Sequence, residues 1–290
     1  MEKVAIVTDS NTVFAKDQAE SLGIHIIHMP ILIEGEAFFE GINITHDEFY
    51  RKLLADVHIT TSQPSSDSVT GLWDKLLKGF DEVVHIPTSR ALSAACDTAQ
   101  LLAAEYGGRV QVVNNQRISV TLRQSVLDAV ALAKAGWDAR RIKEQLERVK
   151  AESSAYIMVG TLKYLKRGGR ITPAAAMIGS MLRINPVLQL RGEKLEPFAK
   201  ARGVKQARKI MISAIKRDFE QRFRGFSDPD HMLMQMAYSF DLDAALDFKA
   251  EVESSFPGFV IHMDPLSLSN AVHTGPGVLG LTCTRKMECL

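Results

Sequence analysis

Residues 82–113 read EVVHIPTSRALSAACDTAQLLAAEYGGRVQVV. Two short β-branched runs, Glu82 to Ile86 and Val110 to Val113, bracket an Ala- and Leu-rich segment from Ala91 to Tyr106 that lacks Gly and Pro. That composition predicts strand, helix, strand. Upstream, Val4 to Val7 is another short apolar run, closed by a polar turn at Asp9 to Thr12. Val69, Leu72, Trp73, Leu76, Leu77 and Phe80 recur at helical spacing, which predicts a helix with one buried face. Asp138 stands at the N-cap position ahead of Ile142, Leu146 and Val149. Strand–helix alternation of this kind argues a mostly parallel sheet flanked by helices. In such sheets ligands collect at the carboxyl ends of strands, where Asp9-Ser10 and Pro87 to Arg90 are expected.

Beyond about residue 160 the rhythm changes. Pro186 to Leu190 and Lys194 to Pro197 flank a hairpin-like turn at Arg191-Gly192-Glu193, and a long helix is predicted from Val204 to about Arg222. Met232 to Tyr238, Phe259 to Met263 and Val278 to Thr282 read as strands, with a helix over Leu242 to Ser254. The chain of 290 residues exceeds one comfortable core. The expectation is therefore an α/β protein of two domains. Residues 1–160 would form the α/β domain with the parallel sheet, and residues 161–290 an α+β domain with a mixed sheet.

Charge says little about partners. Lys and Arg number 35 against 34 Asp and Glu, a net charge of +1, so nothing predicts attraction to nucleic acid or to an anionic membrane. The apolar run near Met1 is too short for a secretory core, and no stretch approaches a membrane span, so a cytoplasmic protein without stable membrane insertion is expected. Cys96, Cys283 and Cys289 are odd in number and show no CxxC spacing, which suits reduced thiols. His25 and His28 bracket two isoleucines, the pattern of a strand end more than of a metal site. No metal site is expected.

Four polar motifs carry the chemistry: Thr61-Ser62-Gln63-Pro64-Ser65, Ser89-Arg90-Ala91-Leu92-Ser93, Gly168-Gly169-Arg170-Ile171-Thr172 and His273-Thr274-Gly275-Pro276-Gly277. Each couples a hydroxyl, guanidinium or imidazole to residues that turn tightly or let a backbone approach closely. As bland alternatives, TSQPS is only a turn and Ser89 only a helix cap. The two glycines before Arg170 let a loop pass near a ligand while the arginine offers a planar fork to an oxyanion. Thr172-Pro173 would start a helix through Ala174 to Leu182, either a packing helix or the wall of an apolar pocket. Ala201-Arg202-Gly203 adds a second arginine beside a glycine. Other signals fail. Gly275, Gly277 and Gly280 match GxGxxG, but Pro276 lies inside and only ten residues follow Gly280. GxxxxGK[ST], GxSxG and HExxH are absent.

The motifs and their order resemble the DegV family over essentially the whole chain: Val7-Thr8-Asp9-Ser10, TSQPS, Ile86-Pro87 to Leu92-Ser93, Tyr164-Leu165-Lys166-Arg167-Gly168-Gly169-Arg170-Ile171 and the closing HTGPG-x-LGL. The resemblance implies a two-domain α/β protein that binds one long-chain fatty acid in a buried apolar tunnel, with the ligand site between the domains. It implies no catalytic residues of its own and no cofactor beyond the bound fatty acid. The partner implied is an ATP-binding fatty acid kinase subunit related to dihydroxyacetone kinases, which phosphorylates the presented carboxylate in phospholipid metabolism of bacteria. Matched position by position, Thr61, Ser62 and Ser93 would supply head-group hydroxyls, His273 the carboxylate-region imidazole, and Arg170 and Arg202 the flanking arginines. The chain departs from the family pattern at Asn114-Asn115 and at Arg90, Ala91 and Ala94. Lys163, Lys166 and Arg167 are candidates for a docking surface. Two alternatives stay open: a self-sufficient enzyme on small carboxylates or phosphorylated metabolites, with His273 as acid and base, or a lipid carrier or sensor without a kinase.

Overall fold

The computed structural model describes residues 4–171, 184–191 and 194–287. They form two units, Met1–His46 with His58–Lys150, and Asp47–Val57 with Ala151–Cys289. The division falls ten residues before the boundary read from the sequence. The segment after Lys150 is a strand of the second unit's sheet, and its mixed Ser-Ser-Ala-Tyr pattern carries no strong strand signal.

In the first unit the elements run β1 (Val4–Asp9), α1 (Lys16–Leu22), β2 (Ile24–Ile27), β3 (Ile31–Ile33) and β4 (Glu36–Phe38). After α2 (His46–Leu54), most of which belongs to the second unit, come β5 (Ile59–Thr61), α3 (Ser66–Leu76), β6 (Glu82–Ile86) and α4 (Ala95–Ala103). β7 (Val110–Val112), α5 (Ser119–Lys134) and α6 (Ala139–Arg148) complete it. Strands β2-β1-β6-β7 make an all-parallel sheet, and β4-β3-β5 a small antiparallel one. The predicted face of α3 packs on the parallel sheet, bringing Val69, Trp73 and Leu76 against Ala5, Val7 and Val83. Trp73 is fully buried, edge-on to His85 at 5.6 Å and Tyr106 at 5.3 Å. Asp138 caps α6 as predicted, its carboxylate accepting from the Arg141 amide at 2.8 Å. The helix after β6 starts four residues later than predicted. The amides of Leu92 and Ser93 both turn back to the Ser89 carbonyl, at 2.9 and 3.1 Å, so Ala91 to Ala94 form a turn first.

The second unit contains β8 (Ser153–Met158), α7 (Lys163–Arg167), β9 (Asn185–Arg191), β10 (Lys194–Ala201), α8 (Val204–Gln221) and β11 (Met232–Tyr238). α9 (Leu242–Ser255), β12 (Ile261–Pro265), α10 (Leu268–Thr274) and β13 (Leu279–Arg285) follow. Its sheet has the order β10-β9-β8-β13-β11-β12, mixed as expected, with β11 and β12 parallel and the other pairs antiparallel. Met211, Ile215 and Phe219 of α8 and Phe248 and Val252 of α9 share its core. The buried Tyr156 hydroxyl donates to Asp218 Oδ2 at 2.7 Å, which holds α8 to β8. The helix expected over Thr172 to Leu182, the turn residues Gly192 and Glu193, and Cys289 lie outside the described residues.

Because Trp73 is wholly enclosed, Trp73→Ala is expected to destabilise the protein by about 3–5 kcal/mol. Equilibrium urea unfolding measures this, and a loss below about 1 kcal/mol would contradict the packing described.

Candidate functional site

The carboxyl ends of β1 and β6 lie where the strand order of the parallel sheet changes direction, the usual ligand crevice of such sheets. Here that place is filled by the protein's own polar groups. The buried Asp9 carboxylate accepts from the Thr88 amide at 2.7 Å, the Thr88 hydroxyl at 3.1 Å and the Asn11 amide at 3.0 Å. Asn11 Nδ2 donates to the Thr88 hydroxyl at 2.8 Å. Burial raises the pKa of Asp9 even though these donors favour its charged form. Ser10 is also engaged, its hydroxyl accepting from the Met29 amide at 3.0 Å.

Next to this cluster the first two motifs come together. Thr61 ends β5, and Ser62 is exposed just beyond it, with its amide on the Pro30 carbonyl at 3.2 Å. Gln63 Oε1 accepts from the Thr98 hydroxyl of α4 at 2.9 Å, tying the TSQPS loop to the helix that follows Ser93. The Ser93 hydroxyl accepts from the Ala95 amide at 3.3 Å, at the start of α4. Ser65 is the N-cap of α3, accepting from the Ser68 amide at 3.2 Å. Ser89 is not a helix cap: its amide donates to the Arg117 carbonyl at 3.0 Å, and α4 begins beyond Ala94. Arg90, a departure from the family pattern, pairs with Asp97 at 3.1 Å. A cavity of ≈ 10 Å³, room for about one water, is lined here by Asp9, Met29, Pro64, His85, Ala95 and Thr98. It is too small for an acyl chain.

The other two motifs meet within the second unit. α7 ends at Gly168, whose amide donates to the Tyr164 carbonyl at 2.9 Å, and Gly169 turns the chain at φ +67°. Arg170 follows with its amide on the Leu165 carbonyl at 3.1 Å, and its guanidinium donates to the Gly168 carbonyl at 2.5 Å. His273 sits in the last turn of α10, and its imidazole lies against Gly168. Burial first, and then the Arg170 charge, push the His273 pKa down to about 4, so the ring is neutral at physiological pH. Past His273, the buried Ser239 hydroxyl donates to the Gly275 carbonyl at 2.7 Å and accepts from the Val278 amide at 3.0 Å, pinning HTGPG to the end of β11. The second unit thus joins a neutral imidazole to a guanidinium. Such a pair can offer one full charge and a directed hydrogen bond to a carboxylate.

Arg202 is exposed after β10, with its amide donating to Gln206 Oε1 at 2.6 Å. The sheet register puts it at the same end as the HTGPG loop, but three strands away, roughly 14 Å of backbone. Two of the basic docking candidates are already paired: Lys163 and Arg167 both reach Asp56 Oδ1, at 2.8 and 3.2 Å. The sequence alone does not single out Asp56, Tyr164 or Ser239. Tyr164 lies inside the YLKRGGRI motif, whereas nothing in the sequence marks Ser239 or the pairing of Asp56 with a segment a hundred residues on. Among the described residues no group of three or more His, Cys, Asp or Glu could hold a metal ion, and no helix is long and apolar enough to cross a membrane.

A two-unit α/β chain, with one sheet all parallel and one mixed, carrying paired Gly-rich polar loops, defines the class. The sequence model described as "Uncharacterised protein, DegV family" matches residues 3–286, and the chain belongs to the DegV family. A DegV domain-containing protein of Deinococcus radiodurans is 32% identical over 219 residues, 75% of this chain and 78% of that one. Another from Listeria innocua is 29% identical over 292 residues, 98% of this chain and 99% of its own. Among solved structures, a DegV family protein from Thermus thermophilus, described by its fatty acid binding, superposes with a TM-score of 0.88 at 30% identity, covering 98% of this chain and all of that one. DegV of Bacillus subtilis, described as a fatty acid binding protein, gives 0.85 at 26% identity over 98% of this chain and 99% of its own.

The depressed His273 pKa makes a stability prediction. Unfolded, the ring binds a proton below about 6.5; folded, it does so only near 4, so stability is fully present above 6.5 and falls as pH drops between the two. Wild type should lose stability relative to His273→Gln across that window, by up to about 3 kcal/mol before solvent screening reduces it. Urea unfolding of both proteins at pH 7, 5.5 and 4.5 reads the difference directly, and a pH-independent difference would contradict it.

Proposed function

We propose that this protein binds one long-chain fatty acid in a buried apolar tunnel and presents its carboxylate to a separate ATP-dependent kinase subunit. The observation that carries this is the pairing of neutral His273 with Arg170 in interlocking glycine loops, in a chain 30% identical to a fatty-acid-binding relative over nearly its whole length. Arg170 takes the charge of the head group and His273 adds a directed hydrogen bond. Thr61, Ser62 and Ser93 contribute hydroxyls, and Arg202 flanks the site. The protein is a substrate-binding subunit in this reading, and it works in the cytoplasm, where ATP and the partner are available.

Energetics divide the labour. Burying a long acyl chain at ~0.8 kcal/mol per methylene gives roughly 10 kcal/mol gross. Charge-assisted hydrogen bonds add about 1.5–3 kcal/mol each, less what desolvation removes. The tail supplies affinity and the head-group cluster supplies orientation. Orientation is what transfer requires. A carboxylate oxygen attacks the γ-phosphorus of ATP held by the partner, ADP leaves, and an acyl phosphate results. Arg170 beside that oxygen steadies the charge that develops. Lys166, exposed beside the paired Lys163 and Arg167, belongs to the face we assign to the partner.

The first test is denaturing mass spectrometry of lipids extracted from the purified protein, alongside its native mass. One fatty acid per chain is expected. Protein that carries none, and takes up none when it is supplied, would overturn the reading. With an ATP-binding kinase subunit added, Arg170→Ala and His273→Ala should each stay folded yet form acyl phosphate at least about tenfold more slowly, the cost of one charge-assisted contact. Undiminished product from both would remove the roles assigned to them.

A further inference from the structure

Gly168 has ordinary right-handed helical torsions, φ −81° and ψ −8°. Nothing in such a backbone demands glycine, and alanine is normally favoured there. What demands it is a neighbour. A Cβ built on Gly168 would collide with His273 Nδ1 and lie 3.0 Å from Cε1 and 3.3 Å from Cγ. The obstacle is a ring whose helix end is itself fixed, since Gly275 just beyond is pinned through Ser239. A second contact mirrors the first. A Cβ on Gly275 would run into the Tyr164 ring, with Cγ at 3.0 Å. Each of the two motifs therefore gives up a side chain so that a ring of the other can take its place. Gly275 needs glycine for its φ of +77° in any case; Gly168 has no such backbone reason.

We infer that Gly168 is a positioning residue for head-group recognition: its missing side chain is the seat that sets the His273 imidazole beside Arg170, with the Nδ1–Cε1 edge against α7 and the Nε2 edge turned away from it. The Gly168 carbonyl meanwhile accepts from the Arg170 guanidinium. One residue thus orients both groups, with its Cα on one side and its oxygen on the other. The identity of the ligand rests on the fatty-acid reading above; the seating of the ring does not.

The test is Gly168→Ala, read by palmitate affinity and by the NMR titration of the His273 ring, with Gly71→Ala as control because nothing lies within 4 Å of a Cβ there. Gly168→Ala should weaken palmitate binding at least tenfold and move the ring titration up from about 4 toward 6.5 as the imidazole is displaced into solvent. In a His273→Ala background the same substitution should cost nothing further, because the collision is gone. Should Gly168→Ala lower the Tm, the double variant should recover it. An unchanged titration and affinity in Gly168→Ala would overturn the inference. So would losses that simply add in the double variant. If the unmutated protein takes up no palmitate while Gly168→Ala still shifts the titration, the seating of the ring stands and the fatty-acid reading fails; if His273→Ala binds palmitate normally, the head-group role given to the seat is overturned.

Discussion

One glycine carries both the imidazole of His273 and the guanidinium of Arg170, and the chemistry of the second unit follows from that shared anchor. Packing the ring against Gly168 withdraws it from water, and Arg170 opposes its protonation, so only one of the two groups is charged. A single negative charge is matched by one guanidinium and a neutral hydrogen-bonding ring. A ligand with two charges would leave one uncompensated in a partly desolvated place, unless the imidazole took up a proton. The arrangement suits a singly charged group such as a carboxylate.

In the first unit the fold has used its obvious crevice for itself. Asp9, Asn11 and Thr88 close a hydrogen-bonded ring at the carboxyl ends of β1 and β6, and burial makes such groups expensive to leave unpaired. Those groups are committed to one another; Thr61 closes β5, Ser62 follows on the loop after it, and Ser93 lies on the turn before α4. The Gln63–Thr98 bond ties the loop after β5 to α4, the helix that follows Ser93.

Much of this was legible in the sequence because local physics and tertiary packing agree. The β6-to-β7 stretch reads as strand, helix and strand since its apolar periodicity and its burial coincide, and Asp138 reads as a cap because its carboxylate does satisfy an amide at the start of α6. At the start of α4 the two disagree. Ala91 and Leu92 favour helix, but two amides turning back to the Ser89 carbonyl hold a turn instead. The sequence reading does not include α5: Leu122 to Lys134 is rich in helix-favouring residues, but the helix is buried on several sides, so its apolar positions show no single helical stripe to read. The polar motifs were visible singly. Their pairing was not, because the complement of each glycine is a ring about a hundred residues away.

The Asp47–Val57 segment shows how little energy such long-range organisation needs. Its Asp56, at φ +57°, accepts from Lys163 and Arg167, which also flank the Tyr164 ring at 5.9 and 5.5 Å. Lys163 and Asp56 are more than half exposed, so these pairs contribute little to stability. What they contribute is direction. α7 is a helix of five residues, too short to hold its own orientation, and it carries at its end the glycine on which His273 rests. Fixing such a helix takes contacts from several sides rather than one strong one. Asp56 supplies them along its basic face, Tyr164 against Gly275 supplies them on another, and the glycine at its end then meets the imidazole in a defined place.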